Sequence, residues 1–226
     1  MCGRYSFAPS IKQKKQQLDD FHHPVEWKIR YNLAPTQSAY VIANDDPTTV
    51  QEMNWGLVPF WSKDGKEGGK MINARSETIF EKPAFRKIIL TRRCLVPADS
   101  FYEWRKDPDG RKLPYRIFLE NGDLLFMAGI WDRWRTEDTA KNTFSIITTD
   151  ANEDVSPLHD RMPLILTTKE AREKWLSDAP KEELEDMLRP LPDGSLHMYR
   201  VSERVNGTRY DGPDLQEEVQ DDPRLF

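Results

Sequence analysis

The chain is predicted to be an α+β fold, a single domain with a mainly antiparallel sheet or irregular β-barrel core flanked by a few helices. Three observations predict it. Six short apolar or alternating runs have the length and residue types of strands. Clusters of turn-forming residues separate them. Helical signals are confined to three capped segments.

The strand candidates are Ala39–Ala43, Arg93–Val96, Tyr115–Leu119, Leu124–Trp131, Phe144–Thr148 and Met198–Val201. Asp45-Asp46-Pro47 and Asp107-Pro108-Asp109-Gly110 punctuate them, because proline presets a turn φ and aspartate bonds its own backbone. Asn121-Gly122 lies between two apolar runs and reads as a hairpin turn, since both residues tolerate positive φ. Ser10 is placed to cap a helix through about Asp20. Thr167 and Glu170 have capping-box spacing before Ala171–Leu176, and Pro180 suits the first turn of a helix ending near Leu188. Strands in the middle with helices at the sides make the class α+β. No repeat, low-complexity linker or composition break divides residues 1–226, so one domain is expected, with an acidic tail over about 207–226 poorly ordered.

Composition narrows the function classes. No apolar run approaches the roughly 20 residues that span a bilayer, and Met1-Cys2-Gly3-Arg4 lacks a signal-peptide pattern. A cytoplasmic protein without membrane contact is expected, nucleoid-associated when it acts on DNA, with both cysteines reduced. Cys94 sits in the apolar run Cys94-Leu95-Val96 and reads as a small buried hydrophobe. Four histidines and two cysteines show no metal-ligand spacing, so neither metal nor other cofactor is expected. No Gly-rich phosphate loop is present; Gly65, Gly68 and Gly69 read as a flexible turn. The net charge of −5 conceals a division: residues 1–116 carry +6 and residues 117–226 carry −11. The basic excess gathers at Arg75, Arg86, Lys87, Arg92 and Arg93, and such a local surface permits phosphate binding.

Cys2 is the most informative position. Removal of the initiator methionine before a small residue leaves an α-amine and a thiol on one residue. An α-amine titrates near about 8 rather than the roughly 10.4 of lysine, so a neutral, nucleophilic fraction exists at physiological pH. Such an amine attacks an aldehyde to form a Schiff base, and the neighbouring thiol closes a five-membered thiazolidine with the advantage of an intramolecular reaction. Met-Cys-Gly also opens amidotransferases of the N-terminal-nucleophile type, so Cys2 alone leaves both chemistries open.

Further motifs separate them. Met1-Cys2-Gly3-Arg4-Tyr5, Tyr31-Asn32-Leu33-Ala34-Pro35, Trp55-Gly56-Leu57-Val58-Pro59 and Ile72-Asn73-Ala74-Arg75-Ser76-Glu77-Thr78 occur in that order. Pro97-Ala98-Asp99-Ser100-Phe101-Tyr102-Glu103-Trp104 and Leu158-His159-Asp160-Arg161-Met162-Pro163 follow. Together they closely resemble the SOS response-associated peptidase family, whose members process abasic sites. The resemblance runs from Cys2 to about Leu215.

It implies Cys2 as covalent nucleophile, Asn73 beside it, Glu103 as catalytic acid and His159 as the histidine that assists opening of the sugar. Glu103 stands among Phe101, Tyr102 and Trp104, an apolar setting that raises a carboxyl pKa. The resemblance further implies that Arg4, Arg75 and Arg161 grip phosphates, with Arg86 a further candidate. Trp61 and Trp104 are implied as stacking surfaces, and Pro35 as a wedge beside the lesion. The implied partner is single-stranded DNA containing abasic sites, bound by a monomer through a thiazolidine crosslink at Cys2 that shields the site, with weak lyase activity. Two rivals stay open: a cysteine-type hydrolase using Cys2, His159 and Asn73, with autoproteolytic N-terminal processing as its minimal form, and a non-covalent single-strand binder.

Overall fold

A computed structural model describes residues 2–23 and 26–219. Twelve strands are present: β1 Tyr5–Phe7, β2 Arg30–Leu33, β3 Ser38–Ala43, β4 Val50–Trp55, β5 Asn73–Arg75 and β6 Arg93–Ala98, then β7 Ser100–Lys106, β8 Lys112–Leu119, β9 Leu125–Arg135, β10 Ala140–Asp150, β11 Arg161–Pro163 and β12 Leu196–Arg200. Four helices flank them: α1 Ile11–Gln17, α2 Ile88–Thr91, α3 Lys169–Leu176 and α4 Lys181–Met187. The expected α+β class with a mainly antiparallel, barrel-like core is the observed one, β10 alone running parallel to its neighbours β4 and β5.

One sheet has the order β12-β8-β7-β1-β2 and is antiparallel throughout. The other runs β11-β10-β4-β3-β6-β9, and pairing of β9 with β10 joins its ends, so β10, β4, β3, β6 and β9 close a five-stranded barrel. Closure leaves these strands without free edges. The two sheets share one core that includes Tyr5, Phe7, Trp55, Phe101, Phe126, Phe144 and Trp175, all almost fully buried.

β10 is the spine of the molecule. Its first half pairs with β9; its second half carries β5 on one edge and β11 on the other, with Thr148 opposite both Arg75 and Pro163. Asn73 and Arg161, far apart in sequence, therefore flank one strand.

All six predicted runs form strands, but six further strands were not anticipated. Three of these, β1, β5 and β11, are only three residues long, too short for periodicity to register. Asn121-Gly122 forms a turn with Gly122 at φ 74°, yet it is not a hairpin. β8 pairs with β7 and β12, whereas β9 pairs with β6 and β10, so the turn carries the chain from one sheet to the other. Ser10 caps α1 through a reciprocal bond with Gln13, but the helix stops at Gln17 rather than Asp20. α3 starts one residue later than the capping-box spacing implied: Thr168, not Thr167, accepts from the Ala171 N–H. α4 follows Pro180 and ends at Met187, close to the predicted limit.

The acidic tail is packed over its described part. Leu215 is fully buried against Tyr102, Val201 and Val205. The Gln216 side-chain amide donates to Asp99 Oδ2 at 2.7 Å. Burial of one leucine and bonding to a buried carboxylate thus hold a segment that composition alone marks as disordered; residues 220–226 lie outside the described residues.

Arg93 is the unusual core residue, with no exposed surface. Its Nε donates to Trp175 O at 2.7 Å, Nη1 to Ile89 O at 2.8 Å, and Nη2 to Ser177 O. These carbonyls lie at the ends of α2 and α3, where a cation offsets unsatisfied C=O groups and the negative end of the helix dipole. Arg93→Met is expected to leave them buried without a donor and to lower unfolding free energy by about 3–5 kcal/mol. Urea denaturation monitored by tryptophan fluorescence reads this directly, and an unchanged midpoint refutes the assignment.

Candidate active site

Cys2 leads into β1 and is completely buried. The β1–β7 pairing sets Tyr5 opposite Phe101, and the Tyr102 N–H donates to Arg4 O at 2.9 Å, so the ladder continues toward the start of the chain. This brings Glu103, the next residue of β7, up to the Cys2-Gly3 segment. From the barrel side, the Asn73 amide donates to Cys2 O at 2.9 Å. Its Oδ1 is buried and takes no hydrogen bond from the described residues, so an acceptor is directed into the site.

Glu103 is buried, and desolvation pushes its carboxyl up to about 7, with the charge of Asp160 raising it further. Burial and the Glu103 charge push the Cys2 thiol well above the ordinary range for cysteine. The sulfur is therefore held as a thiol, and the carboxyl gains and loses its proton near neutrality.

His159 comes from the loop between β10 and β11. Asn152 Oδ1 accepts the Val155 N–H at 3.2 Å, buried Val155 anchors the loop, and the Val155 carbonyl accepts from His159 N at 3.1 Å. The Arg161 N–H donates to His159 Nδ1 at 3.0 Å. In the neutral ring this leaves the proton on Nε2. The Asp160 carboxylate stands 2.7 Å from the same Nδ1 and becomes its acceptor when the ring is protonated. Desolvation lowers the His159 pKa, with Asp160 opposing.

The nucleic-acid residues implied by resemblance divide into two sets. Arg75 and Trp61 line an open groove of about 560 Å³ that also carries Asn73, Lys70 and Lys82. Arg86 is exposed on the turn that precedes α2. The other set faces inward. Arg4 Nη1 donates to Asn32 Oδ1 at 2.7 Å and to Val205 O at 2.6 Å. Arg161 makes a two-pronged ion pair with Glu77 at 2.7 and 2.9 Å and a third contact with Asp150 at 2.7 Å. Both guanidinium groups are buried and engaged inside the protein, so phosphate contact by Arg161 requires it to exchange a carboxylate partner.

Trp104 is half-buried, its indole N–H donating to Asn206 Oδ1 at 2.7 Å, and Arg4 lies 6.0 Å over its ring. Pro35 is half-buried in a turn whose next residue, Thr36, has φ 72°, the one positive φ outside glycine among the described residues. Trp55, Trp131, Trp134 and Trp175 are buried and Trp27 packs against the core, matching the expectation of core or rim. Cys94 is buried as expected. The Gly65–Gly69 stretch is not a loose turn: it forms a short 3-10 helix over Lys66–Lys70, and a Cβ on Gly68 would stand 2.7 Å from Gly56 O.

Lys70, Lys82 and Phe60 were not foreseen. The lysines are dispersed in polar segments without a motif and only the fold brings them beside Trp61; Phe60 precedes Trp61 in the chain, but nothing in its sequence shows that it is exposed. Among the described residues no group of three or more His, Cys, Asp or Glu side chains is placed to hold a metal ion. No helix among them is long and apolar enough to cross a membrane.

Comparison with known proteins identifies the family. The sequence model described as SOS response associated peptidase (SRAP) matches residues 1–208, and the chain belongs to that family. It is 40% identical over 223 residues to "Abasic site processing protein YoqW" of Bacillus subtilis, a match spanning 96% of this chain and 99% of that protein. It is 34% identical over 260 residues to "Abasic site processing protein HMCES" of Gallus gallus, spanning 95% of this chain and 76% of that one. A crystal structure of a protein from Bacteroides thetaiotaomicron superposes with a TM-score of 0.85 at 32% identity, covering 97% of this chain and 100% of that one.

Proposed function

We propose that this protein processes abasic sites in single-stranded DNA by bonding covalently to the exposed aldehyde through Cys2, once Met1 is removed. The observation that carries the reading is the convergence on Cys2 of the Asn73 amide and the near-neutral carboxyl of Glu103. The names of its relatives, abasic site processing proteins, supply the substrate class.

Attack by the amine before the sulfur is the reading that a thiol held protonated by burial supports. As the hemiacetal opens, the C1′–O4′ bond breaks and the proton of the anomeric hydroxyl ends on O4′, while the neutral His159 ring hydrogen-bonds O4′ through Nε2–H and stabilises the charge that develops there. The Cys2 amine adds to C1′, the aldehyde carbon, and Glu103 returns a proton to the carbinolamine oxygen, which leaves as water. The thiol then adds across the imine: the Sγ–C1′ bond forms and its proton ends on nitrogen. The closed thiazolidine holds the strand against β-elimination, whereas the imine before closure permits slow lyase chemistry. Asn73 orients the amine or a sugar hydroxyl through its unpaired Oδ1. Arg75, Lys70, Lys82 and Arg86 attract phosphates, and Trp61 stacks a base without reading its identity. Acting as a monomer on chromosomal DNA in the cytoplasm, the protein would shield a lesion from strand cleavage. The hydrolase alternative needs a thiolate–imidazolium pair; the high thiol pKa of Cys2 and the lowered one of His159 oppose it.

The test is incubation of the mature protein with a single-stranded oligonucleotide bearing one abasic site, followed by denaturing electrophoresis and intact mass measurement. A heat-stable adduct with loss of one water is expected. It should disappear when the abasic aldehyde is first reduced with borohydride, or when one residue is retained ahead of Cys2. An adduct that survives either change refutes the reading.

A further inference from the structure

Phe60 and Trp61 occupy the two corner positions of a β-turn closed by the Ser62 N–H donating to Pro59 O at 2.9 Å. Phe60 is 74% exposed and Trp61 46%, the first among the most exposed large hydrophobic residues described. Corner positions ordinarily favour glycine, proline and small polar residues, and their side chains point away from the fold. Two adjacent aromatics there keep a large apolar area in water.

The turn is nonetheless held rigidly. The Trp134 indole, on β9, donates to Ser62 O at 2.9 Å; the Gly65 N–H donates to Ser62 Oγ at 2.9 Å; and the Val58 N–H donates to Thr143 Oγ1, on β10, at 3.0 Å. Gly65 is needed for this seating, having φ 72° with the Trp134 ring only 3.1 Å from where a Cβ would stand. The aromatics are thus fixed to the β9–β10 hairpin and lose little freedom on binding.

The rings meet edge to face, centroids 4.9 Å apart and planes at 84°. Trp61 lines the groove whose charged walls are Lys70, Arg75 and Lys82, with no acidic side chain among them. The occupant is therefore anionic and aromatic. Because the two faces are nearly perpendicular, bases stacked on them cannot stack on each other. A single strand turns freely between neighbouring bases; a duplex does not, because its bases remain stacked and paired.

The geometry points to Phe60 and Trp61 as a preformed stacking step that takes two successive bases of a single strand, Trp61 the one at the cationic groove and Phe60 the next one outward. The step excludes duplex by the angle between its rings. This rests on the single-strand reading above and extends it by one nucleotide and a source of strand selectivity.

The test uses the full chain and abasic oligonucleotides carrying 2-aminopurine at successive positions on either side of the lesion. Wild type should quench the probe at two neighbouring positions. Phe60→Ala should lose the outer quench alone, weaken single-strand affinity about five- to fifty-fold and narrow the preference over duplex, while Phe60→Tyr retains all three properties. Thermal melting confirms that the exposed substitution leaves folding unchanged. Unaltered affinity and quenching in Phe60→Ala, or equal loss at both positions, overturns the stacking step. Adduct formation by wild type, scored in parallel, separates the two ideas: quenching at two positions without any adduct refutes the covalent reading and leaves the step intact, and an adduct without a Phe60-dependent quench does the reverse.

Discussion

Cys2→Ala is expected to abolish the heat-stable adduct with abasic DNA, yet to leave an imine that borohydride can trap. The variant keeps its α-amine, so C1′ still condenses with nitrogen; it lacks the sulfur that closes the ring. The imine alone hydrolyses or eliminates, so strand cleavage should rise as the stable adduct falls. The loss of stable product should exceed the roughly 100- to 10,000-fold typical of removing an acid–base group, because a bond-forming atom is gone. Gel electrophoresis with and without borohydride reads both species. If the variant forms the stable adduct at the normal rate, sulfur is not the closing atom. If no imine can be trapped, the amine does not attack first.

Glu103→Gln is expected to slow adduct formation by about 100- to 10,000-fold with little change in strand affinity. Glutamine keeps the size of the side chain and removes its proton transfer. The wild-type rate should change through a pH near the about 7 to which burial raises this carboxyl, and the variant should lack that step. Its effect on stability has the opposite sign. A carboxyl whose folded pKa lies above the ordinary 4.5 binds its proton more tightly in the folded state, so it favours folding at pH below 4.5 and that contribution is lost as pH rises toward 7. At pH 8 the ionised wild type carries a buried charge that the variant lacks. Glu103→Gln should therefore match or exceed wild-type stability there, by about 1–3 kcal/mol, and lose this advantage at pH 5. A Tm difference that is independent of pH overturns the assigned ionisation.

Much of the framework was legible in the chain itself. Ser10 capped α1 as foreseen and Pro180 preceded α4, because caps act within one helical turn, whereas the capping box expected at Thr167 and Glu170 did not form and one joined Ser10 to Gln13 instead. The two longest strands, β9 and β10, announced themselves by residue type, whereas β7 and β4, of seven and six residues, did not. Asn121-Gly122 shows the limit: the pair specifies a tight turn, but whether the flanking strands pair with each other depends on β7, β12, β6 and β10, which compete for the same edges. The packed tail at Leu215 shows it again, since charge density along 207–219 says nothing of a buried leucine's partner.

By itself the sequence determined the chemistry available: a residue carrying both an amine and a thiol once it leads the chain, a carboxyl bracketed by aromatics, a histidine followed by Asp160 and Arg161. These are properties of covalent neighbours. Tertiary structure alone decided which groups meet and which way they face. It set Asn73 and Arg161 on opposite edges of β10, turned Arg4 and Arg161 inward to protein partners, and raised Phe60 beside a groove of lysines and arginine. The physical reason is reach: hydrogen bonds, charge and desolvation act over a few ångströms of space, and residues 71 or 84 positions apart come within that distance only when strands pair.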